Sequence, residues 1–123
     1  MTTDDLLAEA RRDLARIGPA EAASAMAQGA VLVDIRSESQ REQDGVVPES
    51  VYFPRNVLEW RCDPASPARD ERVCDPSAHL IVMCNEGYQS SLAAANLKRL
   101  GFERATDLDG GFQAWRAAGL PVE

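Results

Sequence analysis

The sequence predicts an α/β domain with a mainly parallel central sheet flanked by helices on both faces. Short apolar runs, Val31–Ile35, Val51–Phe53, Leu80–Cys84 and Ala105–Leu108, alternate with segments of helical spacing. The run Leu80-Ile81-Val82-Met83-Cys84 has no polar alternation, which suits a parallel strand covered on both sides. Glycine or proline punctuates most junctions between these segments. Strand–helix alternation of this kind builds parallel sheets, and sites then gather at the carboxyl ends of strands. At 123 residues the chain is one domain with a single core.

Residues 3–17 read as an amphipathic helix, with Leu7, Ala10, Leu14 and Ile17 on one stripe. Thr3 is its expected N-cap, Asp4 and Asp5 lie in the first turn, and Arg12 and Arg16 lie near the end, all suited to the helix dipole. The expected organisation is therefore an N-terminal helix, residues 1–18, packed on a domain of residues 19–123. Gly18-Pro19 starts a second helix that stops near Gln28-Gly29. The strand Val31–Ile35 follows, then helical spacing over 38–43, the breakers Gly45 and Pro48, and the strand Val51–Phe53. Asn56 is expected to cap a short helix through Trp60, and Pro64, Pro67 and Pro76 mark 61–79 as a surface loop. After Leu80–Cys84, a helix from Ser91 to Leu100 ends at Gly101, preceded by Lys98-Arg99. Ala105–Leu108 is a strand, and Gly110-Gly111 leads into a last helix, Phe112–Ala118. The order of strands in the sheet is not readable from this pattern.

Composition narrows the function. Twenty acids against 13 bases give a net charge of −7 with no basic stripe, so nucleic acid is not an expected partner. Apolar stretches of about five residues are too short for a membrane span. Charges from Asp4 onward leave no apolar signal core. Three cysteines without a CxxC pair suit a reducing, cytoplasmic setting. No His/Cys spacing suggests a metal, and no cofactor is expected.

Cys84 is the candidate nucleophile. It ends a strand, the polar loop Asn85-Glu86-Gly87-Tyr88-Gln89 follows at once, and Ser90 and Ser91 open a helix. Backbone N–H groups of such a loop and first turn converge on the sulfur near the positive end of the helix, a setting that favours the nucleophilic thiolate. The expectation is that main-chain amides hold the sulfur anion without imidazole, metal or a neighbouring guanidinium. His79, the sole histidine, lies about five strand residues away, roughly 16 Å, at the other end of the sheet. Ser90 and Ser91 are expected mainly as helix caps, with Ser90 also able to donate to a persulfide. Tyr88 and Gln89 are expected to shield and brace the loop, and Asp34 and Arg36 to support it. Cys62 and Cys74 read as unrelated loop thiols, against the alternatives that they pair with each other or resolve an oxidised Cys84, and Trp60 and Trp115 read as packing residues.

At these residues the chain resembles the rhodanese family of sulfurtransferases, over roughly residues 19–121. The pieces are Val31-Leu32-Val33-Asp34-Ile35-Arg36, the turn Gly45-Val46-Val47-Pro48-Glu49-Ser50, Cys84 with its loop, and the tail Leu108-Asp109-Gly110-Gly111-Phe112-Gln113-Ala114-Trp115 followed by Gly119-Leu120-Pro121-Val122. The resemblance implies that Cys84 takes a sulfane sulfur from a donor such as thiosulfate, forms a persulfide, and passes the sulfur to cyanide or a thiol acceptor, including one on a protein. Asn85, Glu86, Gly87, Tyr88, Gln89 and Ser90 would bind the substrate.

The chain departs from the family pattern at three places. The family loop runs Cys-x-x-Gly-x-Arg, and here Gln89 holds the arginine position while Glu86 adds a negative charge. Arg55 and Arg61, beyond the second strand's carboxyl end, are the candidates to supply the missing cation. Val46 replaces the turn's usual histidine, and Glu49-Ser50 its glycine-alanine. Retention of the thiol points to an enzyme, whereas loss of the loop arginine points to a catalytically weak binding or redox-sensing module. A phosphatase related by fold needs Cys-x5-Arg, and that position is Ser90.

Overall fold

The computed structural model describes residues 1–123. Its sheet comprises β1 (Arg16–Ile17), β2 (Val31–Asp34), β3 (Val51–Tyr52), β4 (Leu80–Met83) and β5 (Thr106–Leu108). All pairings are parallel, in the spatial order β1-β5-β4-β2-β3. The helices are α1 (Thr3–Arg11), α2 (Pro19–Ala27), α3 (Glu38–Asp44), α4 (Leu58–Cys62), α5 (Gln89–Arg99) and α6 (Gly111–Ala117), with a 3-10 turn over Arg55–Val57.

The central strand β4 divides the core. Side chains alternate across a strand, so Leu80, Val82 and Cys84 join Leu58, Ala93, Ala94, Leu97 and Phe102 beneath α4 and α5. Ile81 and Met83 meet Ala22, Leu108, Phe112 and Trp115 from the side of α2 and α6. Both faces are roofed, as the unbroken apolar run requires. Cys84 therefore leaves the strand on the α5 side.

The N-terminal helix is shorter than the apolar stripe implied. Thr2 rather than Thr3 caps it: the Asp5 N–H donates to Thr2 Oγ1 at 3.1 Å and the Thr2 N–H to Asp5 Oδ2 at 2.9 Å. The helix ends at Arg11, and β1 pairs Arg16 and Ile17 with Asp107 and Leu108. Ile17 is buried within this strand and Leu14 in the link that leads to it, instead of on a helical stripe. Their spacing allowed either solution, and strand pairing along β5 overrode helix propensity. The segment thereby contributes an edge strand to the sheet itself.

Elsewhere the sequence-based boundaries shift by a residue or two. Asn56 lies inside the 3-10 turn and caps no helix; α4 begins at Leu58 with no side-chain cap. Residues 63–79 contain neither helix nor strand. Glu49 sits at φ 69°, in the left-handed region that costs a residue with a Cβ roughly 1–2 kcal/mol. That conformation accounts for the glycine of the family turn. Asp34 is buried and accepts from Arg36 Nε at 3.1 Å and Nη2 at 2.9 Å, and from Arg41 Nε at 3.1 Å. Arg36 also ties the Gly45 carbonyl at 2.9 Å and lies 3.9 Å above the Phe112 ring. His79 precedes β4, where its Nε2 pairs with Thr106 Oγ1 at 3.0 Å, at the sheet end away from Cys84.

Candidate active site

The sulfur of Cys84 receives two main-chain amides. The Gly87 N–H reaches Sγ at 3.2 Å and the Ser90 N–H at 3.3 Å. The N–H groups of Glu86, Tyr88 and Gln89 have no acceptor within the chain. Cys84 is buried and Gly87 with it, whereas Glu86, Tyr88 and Gln89 are exposed around the mouth.

The loop adopts this form because its carbonyls are tied on the outside. The Phe112 N–H donates to Cys84 O at 2.8 Å and the Gln113 N–H to Asn85 O at 3.1 Å, so the first turn of α6 grips the start of the loop. Gln113 Nε2 also donates to Asn85 Oδ1 at 3.0 Å. The Gly87 carbonyl accepts from Arg11 Nη2 and Arg16 Nη2, both at 2.8 Å. Across a trans peptide the C=O and N–H point opposite ways. Braced carbonyls at 85 and 87 therefore direct the Glu86 and Tyr88 amides away from the braces. Close approach requires glycine at 111: at φ 62°, a Cβ there would lie 2.5 Å from the Cys84 carbonyl oxygen.

Behind the loop lies a polar cluster built around Asp107. This fully buried carboxylate accepts from Ser90 Oγ at 2.9 Å, from Ser91 Oγ at 2.9 Å, and from Arg16 Nε at 3.1 Å. Arg11 Nε donates to Ser91 Oγ at 2.9 Å. These bonds correct two expectations. Ser90 and Ser91 lie within the first turn of α5, and their hydroxyls serve Asp107 rather than capping backbone amides. Ser90 meets the sulfur through its N–H alone. Guanidinium groups are also neighbours of the site after all, holding its backbone from behind.

Arg11, Arg16, Ser91 and Asp107 make up this support, and only Asp107 carries a trace of it in the sequence. A carboxylate within a buried apolar run needs partners. Those partners lie 16 to 91 positions away along the chain, beyond any local pattern.

The remaining candidates separate. Arg55 Nε donates to Gln89 Oε1 at 3.1 Å and Arg55 Nη1 to Glu59 Oε1 at 2.7 Å, which brings this guanidinium to the loop. Burial opposes the Glu59 charge, but hydrogen bonds from Arg55 and Asn96 outweigh it and hold the carboxyl below its usual range. Arg61 instead bridges its own loop through Nη1 to the Ala68 carbonyl at 3.0 Å. A cleft of about 600 Å³ between α1 and α5 opens beside Gln89 and Arg55, with Leu6, Leu92 and Lys98 in its walls. Cys62 is buried and its thiol is pushed up to about 12, by burial first and by the Glu59 charge second. It stays a packed, protonated thiol.

The sequence matches the rhodanese-like domain family from residue 18 to residue 118. The chain belongs to that family. A thiosulfate sulfurtransferase GlpE of Pseudomonas savastanoi pv. phaseolicola is 37% identical over 102 residues, covering 83% of this chain and 87% of the relative. A sulfurtransferase of Allochromatium vinosum is 30% identical over 92 residues, 75% of this chain and 77% of that one. Among solved structures, a Rhodopseudomonas palustris protein of unknown function, described as a possible tyrosine phosphatase, superposes with a TM-score of 0.91. It is 32% identical, covering 100% of this chain and 95% of its own. The rhodanese-like match begins after β1, so Arg11 and Arg16 lie outside the matched span while gripping its active loop.

Proposed function

We propose that this chain is a rhodanese-type sulfurtransferase working through a Cys84 persulfide. The observation that carries the reading is the pair of main-chain amides on Cys84 Sγ, with further unpartnered amides around the same loop. Preorganised N–H donors of this kind stabilise a sulfur anion without reorganising during reaction. The Cys84 thiolate attacks the outer sulfur of thiosulfate; a Cys84 S–S bond forms, the S–SO3 bond breaks, and sulfite leaves with the electron pair. Cyanide or a thiolate then takes the outer sulfur, and the electron pair returns to Cys84.

Asn85, Glu86, Gly87, Tyr88, Gln89 and Ser90 form the substrate loop in this reading, contributing backbone donors rather than side-chain charge. Arg55, hydrogen-bonded to Gln89 and paired with Glu59, supplies a guanidinium hydrogen-bond donor at the loop's edge. A small thiol or a protein thiol suits the second step equally, and the cleft beside Gln89 gives either an approach. No helix is long and apolar enough to cross a membrane, and three free cysteines suit a reducing, cytoplasmic compartment.

A tyrosine phosphatase would place an arginine at position 90 to clamp phosphoryl oxygens. Ser90 stands there with its hydroxyl on Asp107, and Arg11 and Arg16 meet the loop on its outer face. The deciding measurement is mass spectrometry after incubation with thiosulfate. An adduct of one sulfur atom is expected on the wild type, removed by cyanide or thiol, and none on Cys84→Ala. Failure to load sulfur from any of several sulfane donors would reject the enzyme and leave a binding or redox-sensing module.

A further inference from the structure

Arg11 ends α1, outside the span that matches the family. Its two bonds go to neutral oxygens, Gly87 O at 2.8 Å and Ser91 Oγ at 2.9 Å, and no carboxylate lies within ion-pairing distance. Arg16, which shares the Gly87 carbonyl, is neutralised by Asp107 at 3.1 Å and Asp109 at 3.0 Å. Arg11 thus makes no direct ion pair, and it sets a half-buried positive charge against the Gly87 carbonyl of the nucleophile's loop, in a protein of net charge −7. The loop's own ionisable side chain, Glu86, is negative.

We propose that Arg11 is a positioning residue of this active site that takes over, from behind, the electrostatic part of the loop arginine. It holds the Gly87–Tyr88 peptide so that the Tyr88 N–H faces away from α1. Its charge raises the potential met by an anion approaching Cys84. The identity of that anion as a sulfane donor rests on the sulfurtransferase reading; the charge effect itself does not. Arg11 touches no reacting atom.

The test compares alkylation of Cys84 by iodoacetate and by iodoacetamide at one pH, quantified on the Cys84 peptide so that Cys62 and Cys74 do not contribute. The ratio of the two rates cancels thiolate fraction and intrinsic nucleophilicity, leaving the effect of local potential on a negative reagent. Arg11→Gln, which keeps a donor and loses the charge, is expected to lower the ratio about three-fold at low salt. Arg11→Lys is expected to restore most of it, and added salt to shrink the difference. Arg12→Gln removes the same charge from the exposed neighbouring position and should leave the ratio near wild type. An unchanged ratio in folded Arg11→Gln, or an equal fall in Arg12→Gln, overturns the proposal; Arg11→Met provides the same comparison should the glutamine variant not fold. Sulfur loading from thiosulfate is read on the same proteins. A responsive ratio without loading keeps the Arg11 role and rejects the donor, and loading with an unresponsive ratio does the reverse.

Discussion

Gln89 exchanges a cation for an acceptor, and that exchange decides how an anion can be recognised here. Its Oε1 takes the Arg55 Nε–H, while Glu59 fixes Arg55 Nη1, so the guanidinium is aimed by two carbonyl-type oxygens at the loop's edge. One charge-assisted hydrogen bond contributes about 1.5 kcal/mol, close to ten-fold in affinity. Arg55→Ala should raise half-saturating thiosulfate five- to ten-fold, by about that energy, with little change in the saturated rate. Arg61→Ala, whose side chain bridges to Ala68, should leave both near wild type. Steady-state kinetics separate the two, and equal effects would reject the assignment. At this scale Cys84 was legible because its strand, loop and helix are contiguous. Asp107 and the arginines were not, because their bonds to the loop bridge distant stretches of chain.

The pairing of the Cys84 loop with α6 gives the double glycine its purpose. Gly111 lets Phe112 and Gln113 donate to Cys84 O and Asn85 O at close range. In Gly111→Ala the added methyl meets backbone rather than a movable side chain, and φ 62° is itself unfavourable. Loss of roughly 2–3 kcal/mol of stability is expected, together with most sulfur loading. Urea unfolding and mass spectrometry read the two losses; wild-type loading in this variant would show that the α6 brace is dispensable. Apolar runs and amphipathic stripes were readable, whereas β1 was not. Leu14 and Ile17 mimic a helical stripe, and the partner strand β5 that makes the segment extended lies about ninety residues further on. The serines of α5 misled because the helix begins at Gln89, which places both inside its first turn with their hydroxyls on Asp107.

Across the whole molecule, the buried part of the response to acid includes His79 and Glu59. Burial lowers the His79 pKa below 6.5, with the Arg104 charge adding to it, and Glu59 lies below 4.5. In both cases the unfolded chain binds more protons than the folded one, so stability rises with pH. The His79 contribution is complete above its unfolded value and fades as pH falls below it; that of Glu59 fades further down. The urea midpoint should therefore drop between about pH 7 and pH 5.5, and His79→Gln should flatten that interval. An unaltered slope in the variant would refute the assignment. The fold class was legible at this scale, since alternating runs admit few architectures, but strand order was not, because neighbours in the sheet leave no mark on one another's sequence. The loop around Cys84 is gripped by residues 11 and 16 on one side and 112 and 113 on the other. Residues near both ends of the chain thus close on one loop, so the geometry around the sulfur is complete only when α1, β1 and α6 have all docked against it.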